Sequence, residues 1–301
     1  MDQVFKKKNP VKPGEQTLLL ILRVFAYSTI GITLSIVFIL FSESFSFFKV
    51  VPLTEFLGST KWTPLLEPRH FGVLPLVYGT IFVAVGALVI AVPLGVLIAV
   101  YLSEYASARS RQFLKPTLEL LAGIPSVVFG FFALTVITPL LRQIDPDIQV
   151  FNALSAAIVL SIMVLPLIAS ISDDAIRSVP NSMRESGYAL GATKSEVILA
   201  VVIPAALSGI ISSCILAFSR AIGETMAVTL AAGATPQLTL SMKESIQTIT
   251  AYIVQVSMGD TPHGTIEYQS LFAVAVVLFL IVVVVNMSAQ LVVKRFQRKY
   301  V

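Results

Sequence analysis

The sequence predicts an all-α polytopic membrane protein whose chain crosses the bilayer six times. Of its 301 residues, 56% are hydrophobic and only 13% are charged, with a mean hydropathy of +0.87. Soluble domains carry about a quarter charged residues. Six apolar stretches each reach the roughly 20 residues that a helix needs to cross the hydrocarbon layer while satisfying its own backbone hydrogen bonds.

The six predicted spans form one membrane domain, residues 17–293, between short cytoplasmic tails at 1–16 and 294–301. The first span follows Lys6, Lys7 and Lys8, but it is too long for the core of a signal peptide. The spans run from Thr17 to Phe41, Val73 to Leu102, Thr117 to Leu141, Asn152 to Ile171, Ala205 to Ala232, and Ser270 to Val293.

The distribution of cations predicts the orientation of the chain. Of the 21 lysines and arginines, fifteen fall in segments on the side of the N-terminus, five fall on the opposite side, and Arg220 lies within a span. Positive residues concentrate on the cytoplasmic side of membrane proteins. We therefore expect both termini in the cytoplasm, and the basic net charge of +4 indicates membrane topology rather than nucleic-acid binding.

The outer segment from Ser241 to Met258 has the pattern of an amphipathic helix. One predicted face is apolar and the other polar. We expect this helix to lie outside the bilayer core, on lipid or under a docked partner. The apolar face carries Met242, Ile246, Ile249, Ile253 and Val256, and the polar face carries Lys243, Glu244 and Gln247.

The cytoplasmic loop from residue 172 to 204 is predicted to contain two short helices. Pro180 is typical of a helix start, Gly191 of a turn that needs positive φ, and Thr193 of an N-cap paired with Glu196. This helix, turn and helix connect the fourth and fifth spans.

The same loop resembles the E-A-A-x-x-x-G-x(9)-I-x-L-P loop of ABC importer permeases. The match is Glu185-Ser186-Gly187-x-x-x-Gly191 followed by Val201-x-Ile203-Pro204, with both spacings preserved. The resemblance implies the type I ABC importer permease fold, with a coupling helix from about 180 to 190 seated on an ATPase subunit. The implied coupling residues are Arg184, Glu185, Gly187, Ala189, Gly191, Ala192 and Pro204.

ATP hydrolysis by this chain is not expected. The pattern G-x-x-x-x-G-K-[ST] requires glycine directly before lysine, whereas Ala192 and Thr193 separate Gly191 from Lys194. ATP and Mg²⁺ would bind to the partner ATPases, and no cofactor is expected here. His70, His263 and Cys214 do not form a metal-ligand pattern, which argues against a metal site and an integral-membrane enzyme.

Arg220 and Glu224 are the candidate substrate-pathway residues. A charge in mid-membrane costs at least about 2.5 to 3.5 kcal/mol on insertion scales, so this helical face is expected to point into the bundle or a wet path. Their i, i+4 spacing also allows them to pair with each other. Arg220 would bind an oxyanion through its planar fork, and Glu224 would accept a hydrogen bond from the protonated oxygen that phosphate has and sulfate lacks.

Two further segments resemble phosphate-uptake permeases of the PstC type. They are Arg220-Ala-Ile-Gly-Glu-Thr-Met-Ala-Val-Thr229 in the fifth span and Gly123-Ile-Pro-Ser-Val-Val-Phe-Gly130 in the third. Gly123 and Pro125 are candidates for a helix break that exposes backbone donors, or for a plain kink. The resemblance implies a bacterial inner-membrane phosphate permease with a homologous second permease, two cytoplasmic ATPase subunits and an external phosphate-binding protein.

Two alternative functions remain open at this stage. One is a permease for molybdate, sulfate or phosphonate, which an uptake assay would separate from a phosphate permease. The other is a channel or carrier that works without ATP and would bind no ATPase subunit.

Overall fold

The computed structural model describes residues 13–297, and this part of the chain contains thirteen α-helices and no β-strand. π-Helical turns at Tyr101–Tyr105, Ala133–Ile137 and Ile198–Val202 join some of these helices end to end. The helices are α1 Pro13–Phe48, α2 Leu53–Gly58, α3 Leu74–Val100, α4 Ala108–Ala122, α5 Ser126–Phe132, α6 Thr138–Ile144, α7 Ala153–Arg177, α8 Asn181–Ala189, α9 Lys194–Val197, α10 Ile203–Ile222, α11 Met226–Ala232, α12 Ile249–Met258 and α13 Ile266–Gln297.

Six helical runs within the described residues are long and apolar enough to cross a membrane, which confirms the predicted number of spans. The first and last runs extend beyond the predicted limits, and α13 continues through residues 294–297 of the predicted C-terminal tail. Residues 1–12 of the predicted N-terminal tail and 298–301 lie outside the described residues. The runs are Gln16–Phe48, Leu74–Tyr105, Ser126–Ile144, Ala153–Arg177, Lys194–Ile222 and Ile266–Leu291.

The fourth span, α7, occupies the centre of the bundle and packs against α3 and α10. Its buried face is rich in small residues, which let neighbouring helices approach closely where no hydrophobic effect drives them together. Ala153, Ala156 and Ala169 are at most 1% exposed. In contrast, the first span makes its main contact with α13 and leaves most of its apolar surface open.

Two of the predicted spans are interrupted. Where the sequence predicts one helix from Thr117 to Leu141, α4 ends at Ala122 and α5 begins at Ser126. Where it predicts one helix from Ala205 to Ala232, α10 ends at Ile222 and α11 begins at Met226. Each break is followed by a helix of seven residues, and these two short helices, α5 and α11, pack against each other.

The predicted amphipathic helix from Ser241 to Met258 is wrong in both extent and location. Only Ile249–Met258 is helical, because Thr248 caps the helix by accepting a hydrogen bond from the Ala251 N–H at 3.2 Å. The apolar side chains do not face lipid or a partner, because Ile246 and Ile249 are fully buried in this chain's own interior.

The preceding residues are not helical, because their backbone forms hydrogen bonds with another part of the chain. The carbonyl groups of Met242, Lys243 and Glu244 accept hydrogen bonds from the N–H groups of Leu154, Gln149 and Ala153 at 2.8–3.0 Å. Ile249 N–H donates to Thr80 Oγ1 of α3 at 2.9 Å. Residues 242–249 therefore form an irregular segment, the inserted wedge, that packs between the second and fourth spans and is not a surface helix.

The end of the bundle opposite α8 is closed by an aromatic cluster. Its central ring, Trp62, stacks edge to face against Tyr252 of α12 at 4.9 Å between ring centroids. The loop after α1 and the α12 segment are thereby joined. The cluster contains Phe47, Phe48, Phe56, Trp62, Phe71 and Tyr252.

Candidate substrate pathway and coupling surface

Arg220 and Glu224 lie on either side of the end of α10. The predicted pairing of the two charges does not occur, since no ion pair within 4.0 Å joins them in the described structure. The reason is the end of the helix at Ile222, which removes the regular i, i+4 geometry. Arg220 is exposed, whereas Glu224 is partly buried.

Glu224 is held at the junction of α10, α11 and α12. Its carboxylate accepts a hydrogen bond from the Ala227 N–H at 3.3 Å, which satisfies a donor in the first turn of α11. Its carbonyl oxygen accepts from Thr250 Oγ1 of α12 at 2.7 Å. The position of Glu224 therefore depends on the inserted wedge as well as on its own span.

The surface beside Arg220 is polar although the surrounding helix is apolar. Ser219 donates to Asn286 Oδ1 of α13 at 2.9 Å, and Asn286 is exposed. An exposed arginine and an exposed amide on these two spans are costly against lipid tails. This face is therefore suited to a wet path or to another subunit.

The break in the third span comes close to the break in the fifth through the contact of α5 and α11. A Cβ atom at Gly130 would lie 2.9 Å from Leu230 Cβ and 3.1 Å from Ala227 Cα, so only glycine permits this approach. Gly123 and Pro125 flank the first break. Pro125 has no N–H to continue α4 and disfavours helical geometry at Ile124, which accounts for the interruption.

The helix, turn and helix predicted between the fourth and fifth spans are present. α8 covers Asn181–Ala189, Gly191 adopts φ +82°, and Thr193 and Glu196 form a reciprocal capping box. The second helix continues through the π-helical turn at Ile198–Val202 into α10, where Pro204 lies in the first turn. The loop that begins with α8 is therefore continuous with the span that carries Arg220.

Arg184 anchors α8 to the bundle. Its guanidinium donates to Glu104 Oε1 at 2.9 Å and to the carbonyl groups of Ile176 and Val179. The two charged side chains are 14% and 9% exposed. Arg184 was predicted from the sequence, but its partner Glu104 was not, because Glu104 lies 80 residues earlier and no nearby motif marks it.

The outward side of α8 and its turn is a mixed polar and apolar surface. Glu185 and Ala189 are exposed, as are Met183, Tyr188 and Leu190. Gly187 faces inward, where it packs against Val197, and Ala192 is half-buried beside the same cluster. The predicted coupling residues thus divide into an inner set that positions the loop and an outer set available for contact.

A buried carboxylate locks α4 to α7. Asp173 is fully buried and bonds to Arg111 at 2.7 Å and to Lys115 at 3.3 Å. Lys115 also bonds to Asp174 at 2.7 Å, and this hydrogen bond raises the pKa of Lys115. Asp173 was not among the residues predicted from the sequence. A pattern in the sequence could have indicated these ion pairs. Asp173 and Asp174 are adjacent carboxylates at the end of an apolar run, and Arg111 and Lys115 are cations spaced four residues apart.

Comparisons with known proteins agree with this architecture. YqgH, a probable ABC transporter permease protein of Bacillus subtilis, is 40% identical over 236 residues, covering 78% of this chain and 76% of that protein. The phosphate transport system permease protein PstC of Mesorhizobium japonicum is 35% identical over 264 residues, covering 81% of this chain and 80% of that protein. A solved bacterial ABC transporter involved in the import of alginate aligns with a TM-score of 0.64 at 15% identity, over 93% of this chain and 96% of that chain.

Six spans, two of them interrupted, with a short helix, turn and helix between the fourth and fifth spans, define the permease class of type I ABC importers. The family model for binding-protein-dependent transport system inner membrane components matches residues 91–300, and the chain belongs to that family. It is therefore a non-catalytic, multi-pass subunit of the inner membrane. A permease of this family works with a partner permease, ATPase subunits and a substrate-binding protein.

Proposed function

We propose that this chain forms half of the translocation pathway of an ATP-driven phosphate importer. The observation that carries the proposal is Arg220, an exposed arginine in an apolar span with no carboxylate within 4.0 Å among the described residues. A guanidinium presented in this way matches the oxygen atoms of phosphate bidentately. The PstC relative, named for phosphate transport, supports this choice of cargo.

Glu224 would favour phosphate over a fully ionised oxyanion. Phosphate keeps at least one proton at neutral pH, and a carboxylate can accept a hydrogen bond from it. The partly buried Glu224 carboxylate lies four residues from Arg220, and its one bond to the Ala227 N–H is long at 3.3 Å. It therefore retains acceptor capacity, and its negative charge limits how tightly Arg220 holds the cargo.

The outer surface of α8 would contact an ATPase subunit. Met183, Tyr188 and Leu190 supply apolar contacts around the exposed Glu185. ATP and Mg²⁺ bind to that partner in this proposal, and this chain transmits the resulting movement through α9 and α10. The complete importer would contain two such ATPases, a homologous second permease beside Arg220, and an external phosphate-binding protein.

We place the α8 end in the cytoplasm together with both termini. Six crossings return the chain to the side on which it starts. The concentration of lysine and arginine on that side agrees with the positive-inside rule. The aromatic cluster around Trp62 then faces the exterior, where a binding protein would dock.

The test is phosphate uptake by the assembled importer in vesicles, with and without ATP. We expect Arg220→Ala to lower uptake about tenfold or more, since a charged hydrogen bond contributes about 1.5–3 kcal/mol. Arg142→Ala, which removes an exposed arginine at the end of α6, is the matched control and should retain transport. Uptake that survives Arg220→Ala would remove the proposed role of Arg220.

Competition identifies the cargo in the same assay. Unlabelled phosphate should suppress uptake, whereas sulfate, molybdate and phosphonate should not. Glu224→Gln should make sulfate a better competitor of phosphate uptake, because the amide can donate a hydrogen bond to either anion. Uptake that persists without ATP would indicate a channel or carrier instead.

A further inference from the structure

A cavity of about 680 Å³ lies at the α8 end of the bundle, between the end of α3, the start of α4, the end of α7 and the start of α8. It shares no residue with the surface around Arg220. Those two regions are separated by most of α10, roughly 25 Å at 1.5 Å per residue. The polar side chains lining the cavity include Glu104, Arg111, Gln112, Arg177, Asn181 and Arg184.

The charges around this cavity do not balance. Glu104 bonds to Arg184, and Asp173 bonds to Arg111, so both of those arginines have a carboxylate partner. Arg177 is exposed and has no ion pair within 4.0 Å among the described residues. The cavity therefore carries a net positive charge, with the guanidinium of Arg177 available for a ligand.

The neutral polar side chains complete an anion-binding surface. Gln112 and Asn181 are both exposed amides that can donate hydrogen bonds. Planar guanidinium groups fit phosphate oxygen atoms in pairs, which favours phosphate over a spherical anion. Among the polar lining side chains, only Glu104 is an obligatory acceptor, and Arg184 already bonds to it.

The surroundings of the cavity indicate the level of the membrane surface. Tyr101 and Tyr105 end the second span and are 48% and 52% exposed. Tyrosine concentrates where the hydrocarbon layer meets the headgroups. Basic pockets at this level of membrane proteins bind the phosphate of anionic lipids.

We propose that this cavity binds a phosphate group at the membrane surface, with Arg177 as its principal free ligand. The group would belong to an anionic lipid headgroup or to inorganic phosphate in solution. The site itself is independent of the proposed cargo. It rests on the proposed orientation, which places the cavity on the cytoplasmic side, where anionic lipid headgroups and inorganic phosphate could both reach it.

The experiment uses the full chain purified with its co-expressed subunits. In nanodiscs of phosphatidylcholine with or without phosphatidylglycerol, native mass spectrometry counts the retained lipids. A parallel arm measures the thermal unfolding midpoint with inorganic phosphate added. Arg177→Gln removes the free cation, and Arg109→Gln makes the same charge change at an exposed arginine outside the cavity.

We expect Arg177→Gln to weaken binding about tenfold, the loss of one charged hydrogen bond, while Arg109→Gln retains it. Loss of phosphatidylglycerol retention assigns the lipid source, and loss of stabilisation by phosphate assigns the solution source. Equal behaviour of the two variants in both arms overturns the proposal. Gln112→Glu, which adds a carboxylate to the cavity, should reproduce the loss if Arg177→Gln proves unstable.

Discussion

Arg184 Nη2 donates a hydrogen bond to Glu104 Oε1 at 2.9 Å, and this bond joins α8 to the turn that ends the second span. The same guanidinium bonds to the carbonyl groups of Ile176 and Val179 at the end of the fourth span. One side chain thus connects α8 to two spans. Movement of α8 must carry these spans with it or break the bonds.

We expect Arg184→Gln to destabilise the chain by about 3 kcal/mol, because removing one partner of a buried pair leaves Glu104 charged and unpaired. ATP hydrolysis by the assembled importer should then proceed with reduced uptake. The thermal unfolding midpoint and the ratio of phosphate moved to ATP hydrolysed measure the two effects. Glu185→Gln, at an exposed position on the same helix, should leave the midpoint unchanged. An unchanged midpoint for Arg184→Gln would contradict the anchoring role.

The turn after α8 gives a second expectation, because Gly191 has φ +82° and no atoms within 4 Å of a Cβ built there. Gly191→Val should cost about 1–2 kcal/mol through backbone strain alone, whereas Gly191→Asn, which tolerates this conformation, should cost less. Thermal unfolding of both variants in detergent tests the difference. Equal losses of stability in the two variants would show that the cost does not come from the positive φ of the backbone.

The contact between α5 and α11 gives a third expectation. Gly130→Val would force atoms into a space where even Cβ lies 2.9 Å from Leu230. Overpacking of this kind costs about 1–3 kcal/mol, and it should also impair uptake by separating the two interrupted spans. Gly31→Ala, at an open position of α1, is the control for both thermal unfolding and transport. Retained uptake in Gly130→Val would show that the close approach is dispensable.

The lock between α4 and α7 gives a fourth expectation. Asp173→Asn removes the buried charge that pairs with Arg111 and Lys115 and should cost about 2 kcal/mol, less than a fully buried pair because both cations are partly exposed. Asp174→Asn removes only an exposed partner and should cost at most about 1 kcal/mol. Thermal unfolding in detergent should rank the two variants in this order, and the reverse order would refute the assignment.

The features of this fold that are set by residues close together in the sequence could be predicted. Apolar length alone locates the six spans, and the box between Thr193 and Glu196 follows from two residues three positions apart. The interruption at Gly223 was not predicted, because membrane-spanning helices also tolerate glycine without a break. Its cause includes the bond from Thr250 to the Glu224 carbonyl group, which joins residues 26 apart.

The error at Ser241–Met258 has the same origin. Its apolar residues recur with helical spacing, but in the first half they fill gaps between spans. Met242, for example, packs beside Gly86 and Ala157. Hydrogen bonds to Gln149, Ala153 and Leu154 then outweigh local helix propensity. For the candidate site, the sequence located Arg220 and the α8 loop, whereas Glu104 and Asp173 required the tertiary structure.

The bond between Thr80 and the Ile249 N–H also sets the order in which the molecule can be completed. These residues are 169 positions apart, and a ribosome adding about 5–20 residues per second needs roughly ten to thirty seconds to supply the second after the first. During that interval Thr80 has only the Leu76 carbonyl of its own helix as a partner. The contact between Ile249 and the second span can therefore form only after the first five spans have been synthesised, so the packing around Thr80 is completed late in synthesis.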